Sequence, residues 1–218
     1  MPRRALVADC SASAVAAAAL LLGGASRAAA PPRHTVLVFG DSMSAEYGLA
    51  RGSGWVALLE KRLAQLQRGD VTVVNASVSG DTTSGGRSRL PELLARPQPS
   101  VVVLALGGND ALRGLPLAMT RENLVAMSAA ARAAGARVLI VGMQVPPNYG
   151  RKYSDEFAGL FAAVARDQNA ALVPFLLKGV ADGPQPEALF QPDRIHPNAQ
   201  AQPTLLDNVW TSLLPLLR

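Results

Sequence analysis

At 218 residues, 49% hydrophobic and 17% charged, the chain is long enough for one substantial core and too short for two ordinary domains. Its net charge of +5 invites a nucleic-acid or anionic-membrane reading, but the arginines are scattered rather than clustered, which argues against a nucleic-acid partner. Two histidines, His34 and His196, cannot build a three-His zinc site, and no metal site is expected.

Residues 1–30 differ from the rest. Arg3 and Arg4 precede an Ala/Leu-rich run from about Ala12 to Leu22, and Ala28-Ala29-Ala30 stands before Pro31-Pro32. This is the layout of a secretory signal peptide cleaved after Ala30, and the apolar run is shorter than the roughly 20 residues a spanning helix needs. The expected organisation is a signal peptide over 1–30 and one domain over 31–218, periplasmic or secreted, with no stable membrane insertion after cleavage. Cleavage lowers the net charge from +5 to +3 and removes Cys10, so the mature protein has no cysteine nucleophile and no thiolate metal site.

Past residue 31, short β-branched runs alternate with helical periodicities. That pattern predicts an α/β fold with a parallel sheet covered on both faces by helices. Five strands are predicted, at Val36–Phe39, Val71–Asn75, Val101–Leu106, Arg137–Val141 and Ala171–Phe175. Trp55, Leu59, Leu63 and Leu66 mark the buried stripe of one helix; Phe157, Leu160, Phe161 and Val164 mark a second, with Ser154 as its cap. A last helix runs from near Gln202 to Leu214, burying Leu206, Val209, Trp210 and Leu213, with Pro203 in its first turn.

In open sheets of this kind ligands bind beyond the carboxyl ends of the strands, so the residues after each strand carry the interest. Gly40-Asp41-Ser42 follows the first, Asn75-Ala76-Ser77-Val78-Ser79-Gly80-Asp81-Thr82 the second, and Gly107-Gly108-Asn109-Asp110 the third. Alone, Ser42 reads equally as a helix cap and the other segments as ordinary turns. His196, three residues after Asp193, is the one histidine near the C-terminus. A serine hydroxyl needs a general base near neutral pH, and a histidine base needs an acceptor to hold its tautomer, which Asp193 can supply. The Ser42 and Gly80 N–H groups and the Asn109 amide would serve as oxyanion donors if the three turns share one edge. The chain has no G-x-S-x-G elbow, no Ser-x-x-Lys, no phosphate loop and no G-x-G-x-x-G after a strand, which disfavours the commoner serine designs and nucleotide binding.

Together these segments resemble the SGNH, or GDSL, hydrolase superfamily. Gly40-Asp41-Ser42-Met43-Ser44-Ala45, Ser79-Gly80-Asp81-Thr82, Leu106-Gly107-Gly108-Asn109-Asp110 and Asn148-Tyr149-Gly150-Arg151 are similar to its bacterial periplasmic thioesterase I, lysophospholipase and arylesterase subgroup. The resemblance implies a three-layer flavodoxin-like fold with a five-stranded parallel sheet, no cofactor, and broad hydrolysis of small-molecule acyl esters and thioesters, lysophospholipids among them. It implies Ser42 as nucleophile, His196 as base, Asp193 as its orienting acid, and Ser42, Gly80 and Asn109 as the oxyanion hole.

Two residues depart from the subgroup. Arg194 stands where glycine is common, and in a left-handed conformation it would carry strain of about 1 kcal/mol; Glu46 replaces a residue often small and adds a negative charge near the nucleophile turn. An apolar groove is expected for the acyl chain, with Leu112, Leu115, Met143, Val145 and Pro146 as candidate walls. Two rivals remain open: a carbohydrate O-acetyl esterase, which would want polar or aromatic walls that a 5% aromatic content does not encourage, and a non-catalytic flavodoxin-like binding module.

Overall fold

The computed structural model describes Met1 and residues 34–96 and 98–218; the expected signal peptide lies outside the described residues. Five parallel strands form one sheet: β1 (His34–Gly40), β2 (Val71–Asn75), β3 (Val101–Ala105), β4 (Arg137–Val141) and β5 (Ala171–Val173), in the order β2-β1-β3-β4-β5. This is the flavodoxin-like order, in which the sheet grows outward in both directions from β1 and β3. The strand register places Val36 between Val73 and Val101.

Alternation along the strands divides the core in two, because successive side chains point to opposite faces. Val36, Val38, Val101, Val103 and Leu139 pack against helices α1 (Trp55–Gln65) and α6 (Gln202–Leu213). Leu37, Phe39, Val102, Leu104 and Ile140 pack against α2 (Thr83–Ala95), α4 (Leu117–Ala133) and α5 (Arg151–Asp167). Both faces are therefore covered within the described residues, and the predicted three-layer α/β architecture is the one observed. A short helix, α3 (Gly108–Leu112), sits between β3 and α4.

The expected elements are present, with local corrections. β5 stops at Val173 rather than Phe175, because Pro174 has no N–H to donate to a ladder. β3 ends at Ala105, one residue short of the predicted end. α5 begins one turn earlier than expected: Gly150, at φ 87°, precedes it, and Ser154 is inside the helix with its hydroxyl donating to the Gly150 carbonyl at 3.0 Å. Ser154 caps nothing. At the end of α1, Leu66 follows the last helical residue and is exposed instead of buried. Trp210 is only half-buried, with the Arg62 guanidinium 5.5 Å above its ring. Pro203 does occupy the first turn of α6.

Candidate active site

The turn that carries Ser42 is shaped by its neighbours. β1 ends at Gly40, where a Cβ would meet the Ala105 carbonyl at 3.0 Å and the Ser44 hydroxyl at 2.9 Å. Gly40 donates its N–H to the Ser77 hydroxyl, and the Asn75 amide donates to the Ser44 carbonyl at 2.8 Å, so the block after β2 buttresses the turn after β1. The Asp41 carboxylate accepts the Met43 N–H at 3.0 Å, and its carbonyl accepts the N–H groups of Ser44 and Ala45. Ser42 stands at the tip of this turn and caps no helix; α1 starts thirteen residues further on, at Trp55.

The loop carrying His196 lies against that tip. His196 Nε2 is 2.8 Å from Ser42 Oγ, and His196 Nδ1 is 2.7 Å from Asp193 Oδ2. The other Asp193 oxygen accepts the N–H groups of Ile195 and His196, both at 3.0 Å. Partial burial pulls the Asp193 carboxyl up, but those two N–H groups and the imidazole outweigh it and hold its pKa down at about 2. The turn runs through Arg194 at φ 58°, so the left-handed strain foreseen for a non-glycine residue there is present.

The Ser42 and Gly80 N–H groups have no partner among the described residues, and Gly80 adopts φ 80°, a conformation that suits glycine. Asn109 is oriented by two acceptors: its amide donates to the Asp81 carbonyl at 2.9 Å and to Asp41 Oδ2 at 3.2 Å. Next to it, Asp110 is fully buried and accepts the Thr83 N–H at 2.9 Å, tying the Asn109 turn to the start of α2 and so to the Gly80 loop. The three turns thus share one edge.

A cleft of about 1130 Å³ opens over these groups. Ser42, His196, Gly80 and Asn109 line it, as do Leu112, Met143, Val145 and Pro146. Leu115 does not. Its N–H closes a turn onto the Asp110 carbonyl, carrying the chain away from the cleft. Although aromatic residues are few, Tyr47, Phe157, Phe175 and Phe190 all face this space, which corrects the expectation of walls without rings. Glu46 stands in the Ser42 turn, as expected, and its carboxylate accepts the N–H groups of Gly52 at 3.1 Å and Gly54 at 2.8 Å, at the positive end of α1.

Three side chains of the site were given no role in the sequence. The Gln191 amide donates to the carbonyls of Tyr47 and Pro197 at 2.9 and 3.1 Å, while its backbone N–H donates to the His196 carbonyl, so one side chain bridges the Ser42 turn and the His196 loop. Gly48 makes room for it, since a Cβ there would fall 2.0 Å from the Gln191 side-chain oxygen. Tyr47 lays its ring on the His196 imidazole with centroids 4.4 Å apart.

Asp41 is the third, a buried carboxylate next to Ser42. Burial pushes its pKa from 3.8 up to about 6 against the opposing Met43 N–H. The native state therefore binds this proton more tightly than the unfolded chain, and stability contributed by the neutral form is lost as pH rises from about 4 through 6. The stability of Asp41→Asn relative to the native chain is expected to rise by up to about 3 kcal/mol between pH 4 and pH 7, measured by urea denaturation at each pH; a constant difference would rule out the buried titration.

With a serine, a histidine and a carboxylate in file above the carboxyl edge of a flavodoxin-like sheet, the chain matches proteins of one class, the carboxylic ester hydrolases. The GDSL-like lipase/acylhydrolase family model matches residues 38–202, and the chain belongs to that family. It is 53% identical over 183 residues to esterase TesA of Pseudomonas aeruginosa, spanning 84% of this chain and 89% of that protein. It is 39% identical over 183 residues to thioesterase 1/protease 1/lysophospholipase L1 of Escherichia coli K12, spanning 84% of this chain and 85% of that one. The crystal structure of TesA matches the fold with a TM-score of 0.80 at 53% identity, covering 84% of this chain and 99% of that one.

Proposed function

We propose that this protein is an exported serine esterase that cleaves acyl esters and thioesters, lysophospholipids included, through an acyl-enzyme on Ser42. The observation that carries this reading is the continuous file from Ser42 Oγ through the His196 ring to Asp193, with contacts of 2.8 and 2.7 Å. His196 takes the Ser42 proton as Oγ bonds to the carbonyl carbon, and returns it to the departing alcohol or thiol. Water, activated by the same imidazole, then releases the acid. Asp193, ionised down to about pH 2, accepts the hydrogen bond from Nδ1–H and supports the imidazolium. The developing oxyanion is received by the Ser42 and Gly80 N–H groups and by Asn109.

Mostly apolar cleft walls favour an acyl chain over an acetyl group alone, so turnover along a p-nitrophenyl ester series should rise and then fall with chain length. Flat turnover along the series would remove the groove from the reading. Export rests on the signal-like pattern of residues 1–30, and N-terminal sequencing of the periplasmic and secreted protein should begin at Pro31. Stoichiometric labelling of Ser42 by a fluorophosphonate tests the nucleophile; label on any other residue would overturn it.

Gln191 is expected to act through His196 rather than on substrate. Gln191→Met keeps the volume and loses the donor, so kcat should fall about tenfold or more while KM stays put, since small misplacement of a base is costly. An unchanged kcat in a correctly folded variant would make the bridge merely structural.

A further inference from the structure

Leaving aside Met1, six large hydrophobic residues are exposed among the described residues, and five of them share one edge of the molecule. Tyr47 follows β1, Val78 follows β2, Leu112 follows β3, Tyr149 follows β4, and Ile195 lies in the loop ahead of α6. Each loop at the carboxyl edge of the sheet contributes one, with exposures of 36% to 50%. Only Leu66, at the far end of α1, lies elsewhere. Hydrophobic residues scattered singly over a surface need no account, but such a concentration marks a contact surface.

Gripping the substrate explains three of the five, since Tyr47, Leu112 and Ile195 line the cleft. It does not explain Val78 and Tyr149, which are outside it. Cations stand beside the apolar tips: Arg113 follows Leu112 and Arg194 precedes Ile195, both exposed and both without a carboxylate partner. Arg113 instead donates to the Gly80 carbonyl at 2.8 Å. Arg151 and Lys152, after Tyr149, are offset by Asp155 and Glu156 one turn on. Of the carboxylates around the cleft, Asp41 is buried, Asp193 is held against His196, and Asp182 and Glu187 stand in the segment after β5, adjoining none of the five apolar tips in the chain. No helix among the described residues is long and apolar enough to cross a membrane.

We infer that this edge docks on an anionic lipid surface, with Val78 and Tyr149 seating in the interface outside the cleft and Arg113 and Arg194 facing lipid phosphates. Half-exposed apolar tips together with basic side chains are the combination that holds a protein at such a surface. The inference rests on the esterase reading for its purpose, since it brings the cleft mouth to where acyl esters are concentrated, but not for its test.

The test uses the chain cut after Ala30, which keeps every element of the fold, carrying Ser42→Ala so that no lipid is consumed. It should float with vesicles of equal parts phosphatidylglycerol and phosphatidylcholine and bind pure phosphatidylcholine more weakly. Adding Val78→Ser and Tyr149→Ser should weaken binding about tenfold, and adding Arg113→Gln and Arg194→Gln should erase the preference for the anionic vesicles. With Ser42 intact, the Val78→Ser/Tyr149→Ser pair should hydrolyse soluble p-nitrophenyl butyrate within about twofold of the native rate. No flotation, flotation indifferent to the Val78 and Tyr149 changes, or a dimer in sedimentation that those changes dissociate would each overturn the docking surface. Failure to hydrolyse the soluble ester with flotation intact would instead overturn the esterase reading and leave the docking surface standing.

Discussion

Ser42→Ala and His196→Ala are each expected to lower kcat for p-nitrophenyl butyrate by about 10⁴-fold or more, and the double variant is expected to be no slower than either single one. The second half of this expectation is the more informative. Ser42 and His196 touch at 2.8 Å and act on one proton, so removing either leaves the other idle. Two residues that contributed separately would multiply their losses. Both variants should keep the native melting temperature to within a few degrees, because Ser42 is only half-buried and His196 belongs to a loop also held by Gln191 and Asp193. A residual rate above that of water would come from the oxyanion groups and the cleft. Additive losses, or a Ser42→Ala enzyme retaining most of its turnover, would sink the acyl-enzyme mechanism.

Asn109→Ala should lower kcat by about 10²- to 10³-fold with little change in KM, the loss of one donor to a charge that exists only in the transition state. The surroundings of Asn109 sharpen the expectation. Both hydrogens of its amide are engaged, one with the Asp81 carbonyl at 2.9 Å and the other, at a longer 3.2 Å, with Asp41. The longer bond is the one that must be shared when an oxyanion arrives. Asn109→Asp should therefore be worse than Asn109→Ala, since it sets a second carboxylate beside Asp41 and another negative charge against the oxyanion. If the aspartate variant proves the better of the two, Asn109 is not an oxyanion donor.

Much of the molecule was legible in the sequence because its signals are local. β-branched runs such as Val101-Val102-Val103 announce buried strands, and the spacing of Phe157, Phe161 and Val164 announces a helix. That Ser42, Gly80, Asn109 and His196 would meet at one edge was legible for a different reason: three follow strands of a parallel sheet, whose carboxyl ends lie together, and the fourth stands in the loop beyond the last strand. The misreadings have physical causes as well. α4 carried no clear stripe because its buried face includes Thr120, Asn123 and Ser128, which make polar contacts with Asp110 of α3, with Thr83 of α2 and with the helix's own backbone, respectively. Ser154 looked like a cap only because Gly150, four residues earlier, could not be known to turn the chain first. Leu115 shares its composition with Leu112 yet points elsewhere once the turn after α3 closes. Gln191 could not have been found at all, because its partner, the Tyr47 carbonyl, is 144 residues away and belongs to the backbone.

Ser42 and His196 are separated by 154 positions, one following the first strand and the other lying beyond the fifth. Contacts so distant along the chain form late, after the entropy of closing the intervening loop has been overcome. Reactivity is thus a property of the finished molecule. On the proposed mechanism, a copy released before Asp193, or halted with its last helix undocked, would carry a serine of ordinary alcohol reactivity and cleave nothing. Onset of ester hydrolysis during refolding should accordingly trail the recovery of helical circular dichroism, making turnover a stopwatch for the final step of assembly.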